Sequence, residues 1–307
     1  MAGATLMFAA SSAIMKLEIA RYPLGEVMAG RSLSSLLFCA AAVLPAAGLS
    51  AFATERPLAH LARGLSQATS QTFTVVALSF LPLAGATAIG FSAPLFAAAI
   101  SIVWLKERAD PARLAALAVG FSGVLLVARP GADTLQIGAL FALMNAVMYG
   151  AVTVAVRGMT RTESTTTLLM WQMAVVAAGH CLLLPFGFVR PSAPDAALLV
   201  ASGLANSLGQ GLWTKSLGLA PATAVSPFYY LLIVWAGLIG FLVWGDRPSA
   251  ALIAGSAVVI AAGLALILRE ARPGANRPAA GRAAFAFRAA SAPGPRLRLF
   301  RLITPDK

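Results

Sequence analysis

Apolar runs of about 20 residues, the length that crosses a bilayer as a helix, alternate along the chain with short breaks rich in Pro and Gly. The pattern predicts ten spanning helices, near residues 2–16, 24–46, 61–81, 84–104, 111–128, 135–156, 166–188, 196–217, 222–244 and 249–268. Pro23, Pro57, Pro82, Pro111, Pro130-Gly131, Pro221 and Pro248 punctuate them. The first run is short and begins at Met1, so that helix is expected to be incomplete or to have a late start. The breaks leave no room for a sizeable soluble domain.

Two of the apolar runs are interrupted by polar residues in matching register. Residues 64–73 read GLSQATSQTF and residues 203–212 read GLANSLGQGL. A shift of 139 positions aligns Gly64 with Gly203, Gln67 with Asn206 and Gln71 with Gln210. The same shift aligns Pro82 with Pro221, and the Glu107-Arg108 pair with Asp246-Arg247. The chain therefore reads as a duplication, 1–130 and 131–268, followed by a basic tail, 269–307, whose composition suggests disorder. Five spans per half is an odd number, so the second copy enters the membrane inverted. The expected fold class is an all-α integral membrane protein of ten transmembrane helices in two inverted five-helix repeats. That architecture recurs in secondary transporters, with the substrate site near the midplane between the copies.

Composition agrees with this reading. Only 11% of the 307 residues are charged and the hydrophobic share is 59%, whereas soluble domains are about 25% charged. The net charge of +12 does not call for nucleic acid, because nine of the 23 basic residues lie after Leu268 and most others mark span ends. Lys and Arg fall eight to five in favour of the loops on the N-terminal side, and 17 to five with the tail, so both termini are expected in the cytoplasm. No cleavable signal peptide is evident. Cys39 and Cys181 sit in apolar runs and read as inert thiols. No Cys or His cluster has metal-ligand spacing, and no GxxxxGK[ST] loop is present, so neither a metal, a cofactor nor ATP hydrolysis is expected.

The stretch LPLAGATAIGFSAPLFAAAISIVWLKER, followed by GFSGVLLVARPG, resembles the first half of an EamA-type member of the drug/metabolite transporter superfamily. LAPATAVSPFYYLLIVWAGLIGFLVWGDRP resembles the second-half signature of the same family. The resemblance covers about residues 1–268. It implies a ten-helix carrier in the bacterial inner membrane that moves small organic metabolites, often outward. One departure stands out: many relatives have an acidic residue after the Pro-Phe of span nine, where this chain has Tyr229 after Pro227-Phe228.

Polar side chains inside hydrocarbon need a partner or a wet cavity, so they nominate the site. Gln67 and Gln71 share a helix face with Thr74, and Asn206 and Gln210 share one with Trp213. Two roles stand open for these amides, lining a central cavity or bonding helices to one another. Asn145 and Tyr149 one turn on, Gln172, and Tyr230 complete the candidates, with rings able to sandwich a planar or apolar group. Arg31 is the one cation well inside a predicted span. Such an Arg costs about 2.5–3.5 kcal/mol on insertion scales, so it is expected to receive a substrate carboxylate or a structural partner.

No carboxylate lies deep in a span, which leaves facilitated diffusion or exchange as credible as proton antiport. The expected function is a secondary transporter of small neutral or zwitterionic metabolites, amino acids first, as an exporter or exchanger working by alternating access. Uptake of a cofactor-like aromatic such as a flavin is the alternative, and a non-transporting scaffold is a lesser one. No nucleophile with its base and no paired carboxylates point to an enzyme, and no catalytic residue is expected. The expected partners are a small-molecule substrate and the lipid bilayer, with no nucleic acid, in a monomer or homodimer.

Overall fold

The computed structural model describes residues 1–104, 111–128, 133–159, 163–219 and 226–270. The pairs Lys106-Glu107 and Pro130-Gly131, together with Arg108, Arg161, Pro221 and the tail from 271, lie outside them. The described chain is helical throughout: α1 (Ala2–Glu18), α2 (Leu24–Ala47), α3 (Pro57–Phe80), α4 (Leu83–Gly90), α5 (Ala93–Trp104), α6 (Pro111–Ala128), α7 (Asp133–Met159), α8 (Thr165–Cys181), α9 (Ala193–Leu219), α10 (Leu231–Trp244) and α11 (Ala250–Glu270). Short 3₁₀ turns at Gly48–Phe52, Leu184–Phe186 and Ser226–Tyr230 extend α2, extend α8 and lead into α10. Four stretches, Leu24–Phe52, Leu83–Ile100, Thr165–Phe186 and Ala250–Leu268, are by themselves long and apolar enough to cross a membrane.

The ten predicted spans appear as ten helical units, one of which is broken. Predicted span four is α4 and α5, interrupted at Phe91-Ser92. Predicted span nine opens as a 3₁₀ turn before α10, and residues 220–225 ahead of that turn are outside the described chain. These two irregular points face each other. The Phe91 ring lies edge-on to Tyr230 with centroids 5.0 Å apart, and the two are separated by the same 139 positions that relate the halves. Broken helices at equivalent positions of two repeats are where transporters build binding sites.

Helix packing repeats in the same sense. α1 packs along α9 as α7 packs along α3, and α2 crosses α9 as α8 crosses α3. α2 meets α8 and α6 meets α11, each pair being equivalent helices of the two halves. The matched glycines explain why the crossings are close. A Cβ on Gly64 would lie 2.5 Å from Val175 Cβ on α8, and one on Gly203 would lie 2.4 Å from Ser34 Cβ and 2.7 Å from the Arg31 carbonyl on α2. Small residues let membrane helices approach backbone to backbone.

The end of the bundle where α1 finishes and α9 begins is tied by polar contacts. Asp195 accepts hydrogen bonds from Arg21 Nη1 at 2.9 Å and Tyr22 Oη at 2.6 Å, and Glu26 Oε2 accepts one from the Val189 amide at 2.9 Å. Nearby, Lys16 donates to the Leu81 carbonyl at 2.9 Å and lies 4.9 Å from the centre of the Trp244 ring.

Candidate functional site

Arg31 projects from α2 into the space among α1, α3 and α9. Its Nε donates to Ser11 Oγ at 3.2 Å, Nη1 to Gln71 Oε1 at 3.1 Å and Nη2 to Asn206 Oδ1 at 2.7 Å. Asn206 Nδ2 in turn donates to Ser35 Oγ at 2.7 Å, and Ser35 donates to the Gly203 carbonyl at 2.9 Å. Ser11 donates to the Ser202 carbonyl at 2.9 Å. Each bond follows from helix periodicity: Arg31 and Ser35 are one turn apart on α2, as Ser202 and Asn206 are on α9.

Every acceptor on the guanidinium is neutral. Among the described residues no carboxylate lies within ion-pairing distance of Arg31, and Glu26, five positions earlier, bonds the Val189 amide instead. The cation is therefore solvated by amides and a hydroxyl without being neutralised. The space beside it, bounded also by Gln172 and Met173, measures about 10 Å³, room for about one water. The bundle leaves little open volume beside Arg31, which is itself half-buried.

The sequence-nominated residues separate into three groups. Arg31, Gln71 and Asn206 meet directly, and Gln172 borders the same space while accepting a 2.6 Å hydrogen bond from Arg63 Nη2. Asn145 lies on the other side of α3, where its Oδ1 accepts from Ser70 at 2.6 Å. Tyr149, one turn on, keeps 37% of its surface open. Trp213 and Tyr230 belong to a lane of rings that runs Phe8, Trp213, Tyr229, Phe91, Tyr230, with successive centroids 6.2, 4.9, 5.7 and 5.0 Å apart. Gln67 is buried on α3 and Gln210 is half-buried on α9; neither bonds Arg31 among the described residues. The amide opposite Gln71 is thus Asn206 and not its repeat mate Gln210.

Four participants were not nominated by sequence reasoning. Ser11 and Ser35 sit in ordinary small-residue runs. Arg63 reads as a loop charge until α3 is seen to begin at Pro57. Phe91 carried a usable signal, since it is the repeat mate of Tyr230. Among the described residues no group of three His, Cys, Asp or Glu side chains is placed to hold a metal ion.

Comparison with known proteins adds the family. The EamA-like transporter family matches residues 1–129 and 136–269. A riboflavin transporter of Rhizobium johnstonii is 30% identical over 226 residues, 73% of this chain and 75% of that protein. An S-adenosylmethionine uptake transporter of Rickettsia bellii is 26% identical over 223 residues, covering 73% and 77%. The pseudopaline exporter CntI of Pseudomonas aeruginosa is 28% identical over 265 residues, covering 86% and 93%.

Proposed function

The chain belongs to the EamA-like transporter family, a multi-pass membrane carrier and not an enzyme, and we propose that it moves small metabolites that join a carboxylate to an apolar or planar group. Amino acids and their ring-bearing derivatives are the first class. The observation that carries this reading is the un-neutralised Arg31 guanidinium, held between the two repeats by Ser11, Gln71 and Asn206. A carboxylate can replace two of these neutral acceptors with a bidentate, charge-assisted pair, which is shorter and stronger than the bonds it displaces. Because the amides sit on α3 and α9, releasing them loosens one helix of each half at once. Substrate arrival then favours the rearrangement that alternating access needs. The aromatic lane from Phe8 to Tyr230 would take the apolar part of the substrate.

A space of about 10 Å³ cannot hold a metabolite, since ligand pockets measure about 300–1,000 Å³. The structure on this reading is the closed carrier, with Gln71 and Asn206 at the positions a substrate carboxylate would take.

A second reading is uptake of a planar cofactor-like compound. The ring lane favours it, and one relative is named as a riboflavin transporter. Flux into and out of proteoliposomes, measured for amino acids, their aromatic derivatives and riboflavin, separates the two. Carboxylate-dependent flux supports the first reading, and riboflavin flux without it supports the second. No flux across the panel would refute both.

A further inference from the structure

A buried titratable pair lies at the opposite end of the bundle from Arg21 and Asp195, where α3 and α8 begin. His60, in the first turn of α3 and ahead of the predicted span 61–81, is 1% exposed, and neither of its ring nitrogens has a hydrogen-bond partner among the described residues. Its ring stacks on Trp171 with centroids 5.4 Å apart and planes 29° from parallel. Its Nε2 faces Glu163 Oε2 at 3.6 Å, too far for a hydrogen bond. Glu163 receives Thr54 Oγ1 on its other oxygen at 2.9 Å. The carboxylate also lines an open cleft of about 510 Å³ together with Ala53, Thr54, Glu55 and Arg56. The cleft thus gives solvent access to Glu163, the carboxylate nearest His60 Nε2.

The pair is connected to the Arg31 space. One turn after His60, Arg63 donates to the Leu168 carbonyl at 2.9 Å and to Gln172 Oε1 at 2.6 Å, fastening α3 to α8. Gln172 borders the Arg31 space. Neighbouring Trp171 donates its indole N–H to the Phe52 carbonyl at 3.0 Å, which fixes the 3₁₀ turn that closes α2. The charged groups facing His60 are thus Glu163 and Arg63, with Glu55 and Arg56 at the cleft.

We propose that His60 and Glu163 form a proton-binding site that opens the α3–α8 end of the bundle when loaded, making that opening sensitive to the pH on the side the cleft faces. In the closed bundle a proton added at Nε2 is attracted by Glu163 but repelled by Arg63 one turn away on the same helix face, and the cost of burying the charge outweighs the attraction. The added proton also leaves an imidazolium buried. Both effects are relieved if α3 and α8 separate and the Arg63–Gln172 tie is released. Burial already holds His60 below its ordinary value. By linkage, acid then favours whichever conformation exposes the ring. On return, the proton leaves and the helices re-close over a neutral imidazole.

The site is tested without substrate, so failure here is separable from failure of the carboxylate reading. Spin labels at Leu58→Cys and Thr165→Cys, on the full chain with Cys39 and Cys181 changed to Ser, report the separation of α3 and α8 in nanodiscs by pulsed electron resonance. Between about pH 8 and about pH 5, the range in which histidine titrates, the ratio of the long-distance to the short-distance population should rise about tenfold. In His60→Phe, which keeps a ring on Trp171, the ratio should change less than about twofold over the same range. In Glu163→Gln the response should survive with an altered midpoint. A distance distribution that ignores pH, or a response equal in wild type and His60→Phe, would overturn the proposal.

Discussion

Gly203→Ala is the substitution that tests most sharply whether helix proximity sets the Arg31 geometry. The added methyl would stand 2.4 Å from Ser34 Cβ, 2.7 Å from the Arg31 carbonyl and 2.8 Å from the Ser35 amide. Ordinary contact begins at about 3.4 Å, so α2 and α9 must part by about 1 Å, and backbone atoms cannot rotate away. Such overpacking costs about 1–3 kcal/mol. The 2.7 Å bond from Arg31 to Asn206 lies one turn along the same crossing, and stretching it by that amount removes a charged hydrogen bond, for a further ~1.5–3 kcal/mol. Alanine returns about 1 kcal/mol of helix propensity. The net expectation is a loss of about 2–5 kcal/mol. Gly64→Ala, its repeat mate, meets only Val175 side-chain atoms at 2.5 Å, and no Arg bond depends on it. Its net cost should be about 0–2 kcal/mol. Thermal unfolding in detergent ranks the two, and flux per folded molecule should fall in Gly203→Ala well beyond its fall in Gly64→Ala. Equal costs, or a Gly203→Ala protein with wild-type stability and flux, would refute the reasoning.

Further outcomes are expected at other contacts. Asn206→Asp sets a carboxylate of the same shape on the guanidinium, so flux should drop more than about tenfold while melting temperature holds or rises, because the internal anion outcompetes the substrate's. Gly25→Ala forces a methyl to within 2.4 Å of the Leu183 carbonyl and should lower thermal stability by about 1–3 kcal/mol. Hydrogen bonds from Ser192 and Tyr22, with smaller help from Arg21, hold the Asp195 carboxyl below the usual carboxylate range. Its stabilisation is therefore present at neutral pH and is lost as pH falls through that lowered value, and Asp195→Asn should flatten the acid limb of a melting-temperature profile. Trp213→Ala breaks the ring lane between Phe8 and Tyr229; it should weaken binding of aromatic substrates more than that of small aliphatic ones, read as a change in KM ratio.

Much of the fold could be read from the chain because a bilayer leaves few options. Runs such as 111–128 and 24–46 lie within a residue or so of α6 and α2. The 139-position register fixed the inverted pairing, and the matched glycines of GLSQATSQTF and GLANSLGQGL turned out to mark equivalent helix crossings. The polar residues between them divide by partner. Thr69 and Thr72 satisfy themselves on carbonyls four residues back, Ser70 reaches Asn145, and Gln71 reaches Arg31.

What the pattern did not disclose was asymmetry. Symmetry pairs Gln71 with Gln210, but Arg31 exists in one half only, with Met170 at its repeat position. A lone guanidinium recruits whichever amides its own length can reach, and these are Gln71 and Asn206. The interruption at Phe91-Ser92 was overlooked for a different reason. Its signal was Pro94 in the first turn of α5, which removes an N–H from the helical ladder just after the break, and a proline that close to a predicted span centre was not read as a break.

The central claim is that Arg31 receives a substrate carboxylate. The most direct measurement is proteoliposome flux for an amino acid that the wild-type protein carries, beside its carboxamide analogue, in wild type, Arg31→Lys and Arg31→Gln. Wild type should prefer the carboxylate by at least about tenfold, the scale of one charge-assisted hydrogen bond. Arg31→Lys should keep part of that preference and Arg31→Gln should abolish it. An Arg31→Gln protein that folds, carries the acid at the wild-type rate and still rejects the amide would contradict the account.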